Sequence, residues 1–290
     1  MTERVTIGVI GGSGLYNMPE IIDIVAHQVE TPFGNPSGDI MVGTLRGKRV
    51  AFLPRHGIGH IHTPSTVPYR ANIYALKSLG VKFIISVNAC GSLREDFAPG
   101  HIVIPDQLFD YTTETRPRSF FESGLVAHIS VAEPFCTELG EQLAEAIQRV
   151  GGTAHRGGTF LIEEGPRFAT RGESHIFRSW GCDIIGMTAC PEAFLAREAE
   201  IAYASMAHIT DYDVWHETEA PVTVEMVLAQ LQRNIETLQQ AIALTIEGLD
   251  EATSCTCHTA LDTALTTARE SISPEMRERL RPLVGRVLSD

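Results

Sequence analysis

An α/β fold is predicted for this chain by three features: short β-branched runs backed by glycine or proline, helical patterns that alternate with them, and one long amphipathic stretch near the C-terminus. The strand-like runs fall at residues 5–10, 49–53, 83–87, 101–104, 159–163, 183–187 and 201–209. Helical periodicity between several of them predicts helices over 69–79, 137–150, 170–180 and 190–200. From residue 222 onward, Val224, Val227, Leu228, Leu231, Ile235, Leu238, Ile242 and Ile246 keep close to a 3.6-residue period, which predicts one long helix. After Leu249 the chain turns polar, and Ser273-Pro274 opens a last short helical pattern ending near Val287. The expected organisation is one main domain over 1–250 with a C-terminal helical extension over 251–290 packed on it.

Charge narrows the function classes. With 23 Lys and Arg against 36 Asp and Glu, the formal charge of -13 argues against a nucleic-acid partner or an anionic membrane surface and leaves room for a small local anion site. Glu3 and Arg4 directly precede the first strand-like run, so no signal region or spanning helix is read there and the expected compartment is the cytoplasm. Cys90, Cys136, Cys182 and Cys190 stand singly in apolar stretches, as buried thiols do. Cys255-Thr256-Cys257 lies in a polar stretch and reads either as two exposed thiols or as a strained, closely spaced disulfide.

Four places carry candidate chemistry. The first strand runs into Gly11-Gly12-Ser13-Gly14, where glycines let the backbone turn sharply and aim N–H groups at an anion, with the Ser13 hydroxyl as an added ligand. A dinucleotide fingerprint would need a further glycine where Asn17 stands, and a plain turn remains an alternative. After the second strand come Arg55, a planar fork for phosphate oxygens, and His56, a donor to a second oxygen. Spacing alone would also let His56, His60 and His62 bind a metal, but glycines interrupt the segment and no carboxylate lies near, so no metal is expected. At Asn88-Ala89-Cys90-Gly91-Ser92 a strand again ends in small residues, where the Ala89 N–H and the Asn88 side chain suit a phosphate cradle. Last, Thr210-Asp211-Tyr212-Asp213 ends an apolar strand, and a period of two puts both carboxylates on one face. An ionised carboxylate accepts from a 6-amino group and a protonated one donates to N7. The pair therefore predicts a preference for 6-aminopurines over 6-oxopurines, whose C6 oxygen would face a buried acceptor.

Taken together, these segments with Glu164-Gly165-Pro166-Arg167-Phe168 and Gly186-Met187-Thr188 resemble the methylthioadenosine phosphorylase branch of the purine nucleoside phosphorylase family, in order over about residues 5–250. The resemblance implies a single-domain α/β fold with a mixed sheet, assembly as a homotrimer or a dimer of trimers, and phosphorolysis of 5'-methylthioadenosine. Inorganic phosphate would be a co-substrate, with no cofactor. It implies that Ser13, Arg55, His56, Asn88, Ala89 and Thr188 form the phosphate site. Met187 would lie under the ribose, Phe168 against the purine, and Asp211 and Asp213 would read the base, Asp213 acting at N7. Val224, Val227 and Leu228 would floor the 5' group, and His128 would reach it across a trimer interface. Asn88 stands where a threonine is common in the family, and Ala169 where a serine is common. The rival readings are a 6-oxopurine or methylthioinosine phosphorylase of the same family, a nucleoside hydrolase, and a non-catalytic nucleotide-binding protein.

Overall fold

Apolar runs that lack polar alternation need cover on both faces, and in the computed structural model of the chain they lie at the centre of one sheet. The structure describes residues 5–12, 15, 18–113, 115–216, 222–253 and 255–289. Strand β1 (Ile7–Gly11) lies between β4 (Lys48–Pro54) and β5 (Phe83–Ser92), all three parallel. An antiparallel pair, β2 (Ile22–His27) and β3 (Ile40–Leu45), extends the sheet beyond β4. On the other side β11 (Ala202–Asp211) runs parallel to β5 along its whole length. The short strand β10 (Ile184–Gly186) is antiparallel to the last two residues of β5 and leads on to β9 (Thr159–Glu163) and β7 (Gln107–Tyr111). Strands β6 (Ile102–Ile104) and β8 (Ala154–Arg156) branch from β11.

Side chains alternate across this sheet into two core layers. Along β1, Ile10 joins the layer formed with α1 (Tyr69–Leu79) and α4 (Ala189–Glu198), while Ile7 and Val9 join the layer formed with α2 (Thr137–Arg149) and α5 (Val224–Gly248). Helix α1 stops at Gly80, whose left-handed backbone (φ 102°) returns its N–H to the last turn. Helix α3 (Arg171–Ser179) starts at a Thr170/Glu173 capping box. The last helical pattern, read as continuous, is two helices, α6 (Pro274–Arg279) and α7 (Arg281–Leu288), with buried Leu280 at the joint. Pro282 explains the break, because its ring and missing N–H do not continue a preceding helix. This segment lies against α1, with the Tyr74 hydroxyl donating to Arg279 O at 2.9 Å and Leu280, Leu283 and Val284 in the core.

Strand β5 forks the sheet. It pairs with β1 only as far as Ser86 and with β10 only from Gly91. Residues 87–90 therefore face no strand on that side. In open α/β sheets, a crevice of this kind beyond the carboxyl ends of strands is where ligands bind.

Candidate active site

Several strand ends around the fork carry polar or candidate residues. Arg55 and His56 follow β4, Asn88 and Ala89 lie on β5, Met187 and Thr188 follow β10, Glu163 ends β9 and Asp211 ends β11. Ala89 is the one exposed residue of an otherwise buried β5, so the opening reaches the strand's own backbone. An unpaired strand edge presents N–H groups to an anion without any side chain. Ser13 lies outside the described residues.

The Arg55 side chain is nearly buried, and its fork is engaged by protein. Nε and Nη2 grip Glu192 at 2.7 and 2.8 Å, Nη2 also reaches Ser86 Oγ at 2.6 Å, and Nη1 donates to Val87 O at 2.9 Å. Burial alone pulls the guanidinium pKa down, but the Glu192 charge and hydrogen bonds outweigh it and raise it. Four of its five N–H donors are thus accounted for, leaving one on Nη1 for a phosphate oxygen. The bidentate clamp expected of Arg55 belongs to Glu192.

His56 departs from its expected role as a donor. Its Nδ1 lies 2.9 Å from His62 O, and a carbonyl only accepts, so Nδ1 carries the proton and Nε2 of the neutral ring is an acceptor. Burial, then the charge of Arg55, lowers the ring's pKa to about 4, which keeps it neutral. The ring stacks on His60 at 4.2 Å, and among the described residues no metal-ligating cluster gathers there. Asn88 also differs: both Nδ2 hydrogens go to Ser86 and Ser205, at 3.0 and 2.8 Å, so the amide has no donor left for an anion. Its Oδ1 instead accepts from Thr188 Oγ1 at 2.9 Å, which orients that hydroxyl at the start of α4.

At the other end of the fork Asp211 and Asp213 are both buried, yet strand alternation is not what pairs them. Asp211 is the last residue of β11, and Asp213 has left the strand with a left-handed backbone (φ 51°). That turn brings the Asp213 N–H to Asp211 Oδ1 at 2.8 Å, while Trp215 Nε1 anchors it to Ser92 O at 2.7 Å. The pair packs directly on Gly91: a Cβ there would stand 3.0 Å from Asp211 Oδ1 and 3.2 Å from Asp213 Cβ. Burial is the main cause that raises both carboxyls, Asp213 to about 6, and the Asp211 charge adds a smaller push on Asp213. Asp213 Oδ2 is buried and makes no hydrogen bond of normal geometry among the described residues, although the Ser174 hydroxyl, itself unpaired, and the Val214 N–H lie close enough to the carboxyl to lower its pKa in part. An unpaired buried oxygen of this kind costs about 1–3 kcal/mol unless a ligand satisfies it.

Two site residues escaped the reading of the sequence. Glu163, buried at the end of β9, has its pKa raised to about 8 by burial and then by the Asp213 charge. Arg116, also buried, donates to Met187 O and Cys190 O, both at 2.7 Å, and to Glu164 O at 2.6 Å, which fixes the loop bearing Met187. Phe168 is 36% exposed, in the loop between β9 and α3. Val224 and Leu228 stand 61% and 58% exposed on the first turns of α5, with Val227 partly covered, so the core reading fails for that end of the helix. The opposite face of those turns, with Met226 and Gln230, lines a cavity of about 300 Å³ behind Asp211. His128 is exposed, held by its N–H to Ala264 O at 2.9 Å.

The chain belongs to the phosphorylase superfamily, whose family model matches residues 6–247. It is 52% identical to a Chloroflexus aurantiacus protein named S-methyl-5'-thioadenosine phosphorylase, over 98% of this chain and 99% of that one. A Geobacter sulfurreducens protein of the same name is 50% identical over 96% and 98%. Among solved structures, a methylthioadenosine phosphorylase from an antarctic soil metagenomic library superposes with a TM-score of 0.92 at 47% identity, covering 97% of this chain and 99% of the other. A Schistosoma mansoni methylthioadenosine phosphorylase in complex with adenine superposes with a TM-score of 0.80 at 38% identity, covering 85% and 93%.

Proposed function

We propose that the chain catalyses phosphorolysis of 5'-methylthioadenosine to adenine and 5-methylthioribose 1-phosphate. The observation that carries this is the buried Asp211–Asp213 pair, one of whose oxygens lacks a partner, at the fork where Arg55 and the open edge of β5 suit an anion. Relatives of the same name at about half identity over nearly the whole chain support it. Phosphate held by Arg55, Ser13 and the backbone N–H groups of Ala89 and Thr188 stands below C1'. It keeps one proton, which it donates to Nε2 of neutral His56. The base leaves from the other side as Asp213 donates to N7 and Asp211 orients the 6-amino group. The sugar passes through an oxocarbenium-like state, stabilised by position and charge alone. Phe168 walls the purine, Met187 supports the ribose, and exposed Val224 and Leu228 with Val227 receive the methylthio group. No metal or organic cofactor takes part. The assembly is a cytoplasmic homotrimer, or a dimer of trimers, with His128 reaching a neighbouring site; its exposure and that of the α5 apolar residues agree with this. No described helix is long and apolar enough to cross a membrane.

Adenine release from 5'-methylthioadenosine should require inorganic phosphate, with methylthioinosine and inosine turned over poorly. Release that proceeds equally without phosphate would make the protein a hydrolase, and faster cleavage of the 6-oxo compounds would reverse the reading of the aspartates.

Glu163 adds a pH signature. Asp213 and Glu163 give up their protons in two steps, near 6 and near 8, that belong to the pair. Both pKa values lie above the ordinary carboxylate range, so the donating form is present at low pH and lost as pH rises. Glu163 is still protonated while Asp213 titrates, so in the native enzyme kcat/KM should decline as pH rises through about 6, and Glu163→Gln should leave both that limb and KM for phosphate unchanged; a native limb near 8 that Glu163→Gln brings down would make Glu163 the donor.

A further inference from the structure

Far from the fork, the C-terminal extension meets the domain through sulfur. Cys136 precedes α2 and donates its N–H to Tyr203 O, at the start of β11. Cys255 and Cys257 flank Thr256 at a 3-10 turn, Thr256–Thr259, whose His258 reaches Lys82 O just before β5. All six cysteines are free and buried, so neither reading of Cys255 and Cys257 as exposed thiols or as a disulfide describes them. Instead the Sγ atoms of Cys136, Cys255 and Cys257 all lie within 4.8 Å of one another, with Cys136 and Cys255 3.9 Å apart. Glu138, in the first turn of α2, has a carboxylate oxygen 3.3 Å from Cys136 Sγ. No other group of three or more metal-ligating side chains converges in this way among the described residues.

Those separations suit a coordination shell. A metal–thiolate bond of about 2.3 Å puts sulfurs about 3.8 Å apart in a tetrahedron and about 4.0 Å apart in a trigonal plane. A disulfide draws two sulfurs to about 2.05 Å and leaves the third unused, whereas one thiophilic ion engages all three. We propose that Cys136, Cys255 and Cys257 form a structural site for one zinc ion per chain, which pins the C-terminal extension to α2; Glu138 lies beside Cys136 but outside the converging group, so the three thiolates carry the site. Binding exchanges three S–H bonds for three S–Zn bonds and releases three protons to solvent, with nothing oxidised. Tyr203 and Asp211 lie at opposite ends of β11, about 25 Å apart at the rise of an extended strand, so the site acts on stability and not on the nucleoside.

The test is a Co²⁺ titration of the reduced, chelator-treated full chain, followed by Zn²⁺. One equivalent of Co²⁺ should give thiolate-to-metal charge-transfer absorption, be displaced by Zn²⁺, and raise the melting temperature. Cys136→Ser, Cys255→Ser and Cys257→Ser should each lower that absorption and weaken zinc binding by more than the roughly 10–100-fold that loss of an outer-shell partner costs. Reduced wild-type chain that takes up no Co²⁺, or binds it without thiolate absorption, overturns the proposal. So does protein purified in air with a Cys255–Cys257 or Cys136–Cys255 disulfide that takes up no metal after reduction.

Discussion

Asp213→Asn should lower kcat/KM for 5'-methylthioadenosine by about 10²–10⁴-fold, the range a positioned general acid supplies. The substitution keeps shape and volume, and the backbone N–H that binds Asp211 is untouched, so the fold and the turn are retained. What changes is the unpartnered Oδ2: a carboxyl raised to about 6 can deliver a proton to N7, and an amide cannot. An amide N–H does, however, suit the C6 oxygen of a 6-oxopurine. The ratio of methylthioinosine to methylthioadenosine turnover should therefore rise as the absolute rate falls. With phosphate held, as proposed, by Arg55 and the open edge of β5, its KM should stay within roughly a factor of two of the native value if the lost interaction belongs to the transition state at the base. Steady-state kinetics with both nucleosides at varied phosphate decide this. An equal loss on both nucleosides, or a phosphate KM that climbs with the loss in rate, would remove Asp213 from the role of acid.

The sequence made strand ends legible because each apolar run stops in residues too small to close over the crevice, as at Gly11, Asn88-Ala89 and Gly186. Arg55 and His56 were visible for the same reason, but what each bonds was not. Glu192 sits within a helical pattern, where a glutamate reads as a solvated face, and only the parallel register of β4, β1 and β5 brings Arg55 to it. Glu163 was hidden likewise, as an acidic residue at the end of an apolar strand. The two aspartates were paired correctly in space through the wrong local geometry. A left-handed backbone at Asp213 is tolerated by aspartate but selected by contacts such as Trp215 with Ser92, which no local pattern announces. Strand β2 went unseen because it lies on a sheet edge with most of its side chains exposed, so its alternation has no buried face to report.

Glu192 and Arg55 should separate stability from phosphate binding. Glu192 is fully buried: Oε2 accepts from Arg55 Nε, while Oε1 accepts from Arg55 Nη2, Ser86 and Tyr203. Removing one member of a buried pair strands the other charge, so Glu192→Met and Arg55→Met should each cost about 3–5 kcal/mol of unfolding free energy. The double substitution Arg55→Met with Glu192→Met leaves no charge behind and fills similar volume, and should recover part of that loss, the remainder reflecting the Ser86 and Tyr203 hydroxyls that lose their acceptor. Phosphate recognition should not recover with it. In the proposed phosphate site the remaining Nη1 donor makes a charge-assisted hydrogen bond of about 1.5–3 kcal/mol, so on that proposal KM for phosphate should rise by roughly 10–100-fold in the double variant. Denaturant unfolding and phosphate-dependent kinetics on the three variants read the two effects independently. A double variant that is stable and binds phosphate with native affinity would confine Arg55 to the scaffold and leave the open edge of β5 as the anion's main support.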